Sequence, residues 1–146
     1  MTKIIVEETT VAVAISDATD DRPPRVKPRL KSAPKIRELF WCDFPKDAQL
    51  PEFWKTRAVL IVSHKNTLFG AVTVIPCSGQ EQPGNRWAIE LPVTIDGLPS
   101  WAICDKPTSF AVSRLSSGKR IVRLSEEQYA PILDRMLVWV DPRRKG

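Results

Sequence analysis

Thr56-Arg57-Ala58-Val59-Leu60-Ile61-Val62-Ser63 is an apolar run with a single cation at its start. Val, Leu and Ile in unbroken sequence, without polar alternation, read as a strand buried on both faces. Such a strand needs neighbours, and two more segments supply them. Val72-Thr73-Val74-Ile75-Pro76-Cys77-Ser78 is a strand that ends on a proline and a hydroxyl. Trp101-Ala102-Ile103-Cys104-Asp105-Lys106-Pro107 is a strand that ends on a carboxylate. Each alone is an ordinary buried strand with a polar end. Together they bring a guanidinium, a hydroxyl and a carboxylate to strand termini.

Outward from these three segments the pattern stays β-rich. Leu39–Phe44 alternates faces that are both largely apolar, which suits a strand in a small barrel. Residues 45–56 form a long connection carrying Pro51, and residues 64–69 form a turn around Asn66. Residues 78–85 have the turn chemistry of a loop, and Asp96-Gly97 marks another turn. Trp87, Ile89 and Leu91 alternate with Ala88 and Glu90, as a half-exposed strand does. Residues 119–124 read as a last short strand. The period then changes. Ser125 with Gln128 three residues on has the form of a capping box. Ile132, Leu133, Met136, Leu137 and Val140 follow at helical spacing, with Pro131 in the second turn expected to bend the helix. The expected fold is mainly β with a C-terminal helix: a five- or six-stranded, mostly antiparallel small barrel.

The N-terminal quarter reads differently. Val11–Ile15 suits a short strand or loose helix, but residues 22–37 hold seven Lys/Arg, four Pro and no acid. Four prolines exclude regular helix or sheet there and favour an extended basic segment. The expected division is a flexible, Pro-rich basic extension (1–36) followed by one domain (37–146).

Composition narrows the function classes. The three cysteines (Cys42, Cys77, Cys104) are odd in number and widely spaced, and the only histidine is His64, in a turn. There is no CxxC, so neither a zinc site nor a disulfide framework is expected. No stretch approaches the ~18 consecutive apolar residues of a membrane span. Acids interrupt the N-terminus at Glu7 and Glu8, against the pattern of a signal peptide. A reducing cytoplasm, no membrane, no metal and no cofactor are the expectations. The net charge of +5 is compatible with a polyanionic partner.

The order and content of the three strand segments, followed by a terminal helix, resemble the MazF/PemK family of toxin endoribonucleases from type II toxin–antitoxin pairs. The resemblance covers roughly residues 37–140. It implies an SH3-like barrel of the kind shared with CcdB. It also implies metal-independent cleavage of single-stranded RNA by attack of a 2′-hydroxyl, leaving a 2′,3′-cyclic phosphate and a 5′-hydroxyl. A cognate antitoxin and a homodimer are the implied partners. The same fold also serves CcdB-like gyrase poisons, and a family member can bind RNA or a partner without catalysis. Those remain the alternatives.

Metal-free RNA cleavage needs a base for the 2′-hydroxyl, a cation for the phosphorane charge and an acid for the departing 5′-oxygen. With one histidine, a histidine pair is excluded. Arg57 is the leading candidate, because a guanidinium at a strand start can grip a phosphate bidentately. The family carries its main catalytic arginine at this position. The family's next residue is usually proline, where this chain has Ala58. Ser78 stands where the family usually has threonine in a Pro-x-Thr pattern. Glu52, five residues before Arg57, matches the spacing of a catalytic glutamate in some members, though an exposed loop glutamate reads equally well. Asp105 matches an aspartate that part of the family uses, but Ile103 stands where some relatives have a catalytic arginine. Phe53 and Trp54, with Lys55 beside them, are placed to stack on unpaired bases. Gly118-Lys119-Arg120 is a basic turn suited to RNA phosphates, but it lacks the pattern of a P-loop.

Overall fold

A computed structural model describes residues 21–146. Eight strands and one helix follow one another: β1 (Glu38–Cys42), β2 (Arg57–Ile61), β3 (Ala71–Ser78), β4 (Ala88–Glu90), β5 (Trp101–Ile103), β6 (Thr108–Ala111), β7 (Leu115–Ser116), β8 (Val122–Arg123) and α1 (Glu126–Val140). All pairings are antiparallel. The expectation of a mainly β fold with a C-terminal helix holds. The helix opens as expected: Ser125 accepts from the Gln128 amide, and the Gln128 side chain accepts from the Ser125 amide. Pro131 lies inside the helix on an exposed face, where the carbonyl it leaves unpaired can meet water.

The sheet curls because its central strands each serve two neighbours on one edge. The first half of β3 pairs with β6 (Val74 opposite Thr108) and its second half with β5 (Cys77 opposite Ala102). On the far edge, β1 pairs with β7 near Trp41 and Cys42 and with β8 near Glu38 and Leu39.

The unbroken apolar run of β2 follows from two separate cores. Ala58 and Leu60 join Ile75, Cys77, Ala102, Cys104, Tyr129 and Ile132 under α1. Val59 and Ile61 join Phe40, Cys42, Val72, Val74, Val112 and Leu115 on the opposite face. Period-two alternation therefore sends every residue of the strand after Arg57 into one core or the other.

The sequence reading, which expected five or six strands, differs at three places, and the short strand Leu115–Ser116 is one that it did not expect. Thr108–Ala111 forms a strand that its polar, exposed residues did not suggest. It is held by the ladder to β3 and by one side chain, Phe110, that packs on the second core. The expected strand over 119–124 shrinks to Val122–Arg123, because Lys119 and Arg120 project from an exposed turn after Gly118.

Val11–Ile15 and the rest of residues 1–20 lie outside the described residues. The division at residue 36 remains our proposal, but the last part of the extension is attached to the sheet. Arg29 pairs with Asp43 at 3.0 Å and donates to the Arg114 carbonyl at 2.8 Å. Leu30 packs on the second core, and the buried Pro34 takes a hydrogen bond from the Asn66 side chain at 3.0 Å. Removing residues 1–28 should therefore leave the melting temperature nearly unchanged, and removing 1–34 should lower it by several degrees. Equal melting temperatures for the two truncations would refute this attachment. Among the described residues, no helix is long and apolar enough to cross a membrane.

Candidate active site

Arg57 is the first residue of β2 and stands opposite Cys42 of β1. Alternation puts its side chain on the face of Val59 and Ile61. There its guanidinium carbon lies 4.4 Å from the centre of the Phe53 ring. Phe53 is held in turn by an edge contact to Phe44 at 6.1 Å, and Phe44 by one to Phe110 at 5.0 Å. The ammonium of Lys106 approaches the same Phe53 ring at 6.0 Å. Two cations thus approach one aromatic ring; Phe53 and Lys106 line a cleft of about 310 Å³ with Phe44, Pro51, Glu52 and Phe110, and Arg57 reaches it only through its contact with Phe53.

Neither cation has an acidic partner among the described residues, where the ion pairs are Arg29–Asp43, Arg37–Glu126 and Arg143–Asp141. The Nε of Arg57 is buried and has no hydrogen-bond partner. Burial also pulls the Arg57 pKa below its ordinary value. A partly buried cation without a counter-ion carries a cost that a bound anion would reduce. The arrangement suits a phosphate.

Of the other candidate groups, the strand register brings Ser78 to Arg57. Ser78 ends β3, and continuing the β2–β3 register beyond Val59 and Pro76 sets it across from Arg57. Its hydroxyl oxygen accepts from the Gln80 amide at 3.2 Å and from the Gln82 side chain at 3.3 Å. It holds the loop, and its own proton remains available for donation. Asp105 follows β5 and precedes Lys106, and its Oδ1 is buried with no partner. Buried polar atoms are almost always paired. Among the described residues only three side-chain atoms break that rule, and Arg57 and Asp105 carry two of them.

A family model described as the PemK-like, MazF-like toxin of type II toxin–antitoxin systems matches residues 35–140. The chain belongs to that toxin family.

Solved structures place this MazF-like chain in the same fold. The Mycobacterium tuberculosis toxin MazF-mt6 is 21% identical, with 72% of this chain and 97% of that one covered at a TM-score of 0.51. An endoribonuclease in complex with its cognate antitoxin, from a mycobacterial species, is 11% identical, with 78% and 100% covered at 0.55. MazF from Deinococcus radiodurans is 19% identical, with 74% and 96% covered at 0.54. No curated protein matches the sequence significantly.

The remaining residues of the MazF-like domain fall into place as follows. Glu52 lines the cleft, but its Oε1 accepts from the Gln49 amide at 2.8 Å and so caps the loop. Trp54 is exposed, with the Lys55 ammonium 5.0 Å from its ring, and neither lines the cleft. Lys119 and Arg120 lie on the far edge of β1 in a different groove. Lys106 was not singled out from sequence. Its signal was its place in Cys104-Asp105-Lys106-Pro107, but its approach to Phe53 depends on a loop fifty residues away. Among the described residues, no three His, Cys, Asp or Glu side chains gather to hold a metal.

The thiols take no part in this chemistry. Cys42, Cys77 and Cys104 are buried and free, and burial pushes each thiol up to about 12. Their folded pKa exceeds the unfolded value, so the stability they contribute is complete below the unfolded pKa of 9.0 and drains away as pH rises toward 12. Burial pushes Tyr129 in the same direction. Native protein should resist a thiol reagent at pH 8 and show a lower denaturation midpoint at pH 10.5 than at pH 8. Rapid labelling of a folded sample would contradict this.

Proposed function

We propose that this toxin is an endoribonuclease that cleaves single-stranded RNA without a metal. The observation that carries the reading is Arg57, without an acidic partner among the described residues and stacked on the same Phe53 ring that Lys106 approaches. In this reading the 2′-hydroxyl attacks the adjacent phosphorus and the bond to the 5′-oxygen breaks. Arg57 and Lys106 hold the phosphate oxygens, and Arg57 takes the charge that grows on them. Asp105 is assigned as the acceptor of the 2′-hydroxyl proton in preference to Glu52, since Glu52 is engaged with Gln49. Lys106 is assigned the proton for the departing 5′-oxygen, and Ser78 donates to the phosphate. The products are a 2′,3′-cyclic phosphate and a 5′-hydroxyl.

A cognate antitoxin is the proposed protein inhibitor, as in the mycobacterial complex. A second copy of the chain is the proposed partner of the helix end, where Trp139 and Val140 are 50% and 53% exposed. Light scattering at micromolar concentration should give twice the monomer mass, and a monomer would refute the dimer.

The test of the activity is purified protein with long unstructured RNA in excess EDTA. Cleavage is expected at full rate. Intact RNA together with inhibition of DNA gyrase would replace this reading with the gyrase-binding one. Binding of RNA without cleavage would identify a non-catalytic family member.

A further inference from the structure

A second basic surface lies outside the cleft. Arg29, Lys31 and Lys35 of the N-terminal segment face Lys119 and Arg120 of the β7–β8 turn across a groove of about 480 Å³ floored by Phe40. Lys31, Lys35, Lys119 and Arg120 are exposed, and none is in an ion pair among the described residues. The one acid in the groove wall is Glu38, whose Oε1 accepts from the Lys35 amide at 2.7 Å. Four unpaired cations beside one engaged acid, with Arg29 held by Asp43 at the groove's end, make a site for a polyanion.

The groove is joined to the candidate active site. Arg29 pairs with Asp43 through Oδ2, and the Thr56 hydroxyl donates to the other oxygen of Asp43 at 3.0 Å. Thr56 immediately precedes Arg57. Phe40 belongs to the core face that also takes Val59, so the groove and the Arg57 side chain open on the same side of the sheet. Because β7 and β2 flank β1, their backbones are roughly 10 Å apart, a short reach for a single strand.

We propose that this groove binds the phosphate backbone of the RNA substrate beyond the scissile bond, so that the N-terminal segment and the β7–β8 turn together form an extended substrate site. The choice of RNA among polyanions rests on the ribonuclease reading. Backbone contacts of this kind confer affinity without base specificity. They also explain why a stretch with seven cations and no acid is fastened beside the catalytic sheet.

The test uses the full chain and a 2′-deoxy single strand of about 20 nucleotides, which supplies phosphates but cannot be cleaved. Binding is read by fluorescence anisotropy over a range of salt. A Lys31→Ala/Lys119→Ala/Arg120→Ala variant should bind about tenfold or more weakly at low salt, and its log–log salt slope should be shallower by roughly 2. Lys31→Arg/Lys119→Arg should bind as wild type, with circular dichroism showing all variants folded. Unchanged affinity and slope in the triple variant would overturn the proposal. So would a loss confined to poly-glutamate binding, which would mark the groove as a dock for an acidic protein. If wild type fails to cleave RNA yet the slope drops as stated, the ribonuclease reading fails and the polyanion groove stands.

Discussion

Arg57→Ala should reduce RNA cleavage by roughly 10²-fold or more while the protein stays folded, the scale for losing one charge-stabilising donor. The loss should fall mainly on kcat, because the growing phosphorane charge exists only in the transition state. Stability should change little. Alanine removes the cost of the buried, unpartnered Arg57 Nε but also the contact of the guanidinium with the Phe53 ring. Loss of rate without loss of stability separates a functional residue from a structural one: a structural arginine would lose melting temperature and activity together. Arg57→Lys should recover only part of the rate, since an ammonium restores charge without the bidentate fork. Ser78→Ala should cost less than Arg57→Ala, because a neutral hydrogen bond is weaker than a charged one. Folded Arg57→Ala with wild-type cleavage would remove the active site from this cleft.

Leu60→Ala should destabilise the domain by about 2–5 kcal/mol and lower its melting temperature by ~10 °C or more. Leu60 is fully buried in β2, between Leu39 of β1 and Ile75 of β3, and it packs into the core covered by α1. Truncation there leaves a cavity that three strands and a helix cannot collapse to fill. Leu50→Ala is the matched control. Leu50 is 83% exposed in the β1–β2 connection, so its loss should stay within about 0.5 kcal/mol. Similar denaturation midpoints for the two variants would show that the two-core reading of β2 is wrong.

Particular residues show how far sequence reasoning reaches. The apolar run after Arg57 could be read as doubly buried because Val, Leu and Ile follow without a polar break, and the structure gives each residue to one of two cores. The helix start at Ser125 could be read because a capping box is local chemistry. Thr108–Ala111 could not, because its strand exists through pairing with β3 while its own residues stay largely exposed. The site divides in the same way. Arg57, Ser78 and Asp105 stood out because each ends a buried strand. Lys106 did not, because its position over Phe53 comes from a loop brought in by tertiary packing. The engagement of Glu52 with Gln49 and of Ser78 with Gln80 and Gln82 was likewise invisible to spacing alone. The tie from Arg29 through Asp43 to Thr56 joins residues far apart in sequence, so the basic stretch read as a free tail.

The central claim is that the RNA's own 2′-hydroxyl is the nucleophile at a phosphate held by Arg57, with no metal taking part. The most direct measurement is mass spectrometry of the ends formed when wild-type protein cuts a defined single-stranded RNA in excess EDTA, beside the same RNA carrying a 2′-deoxy residue at the cut position. The predicted result is a 2′,3′-cyclic phosphate and a 5′-hydroxyl from the first RNA, and no cut at that position in the second. A 5′-phosphate end, activity that needs added divalent metal, or equal cleavage of the 2′-deoxy substrate would contradict it.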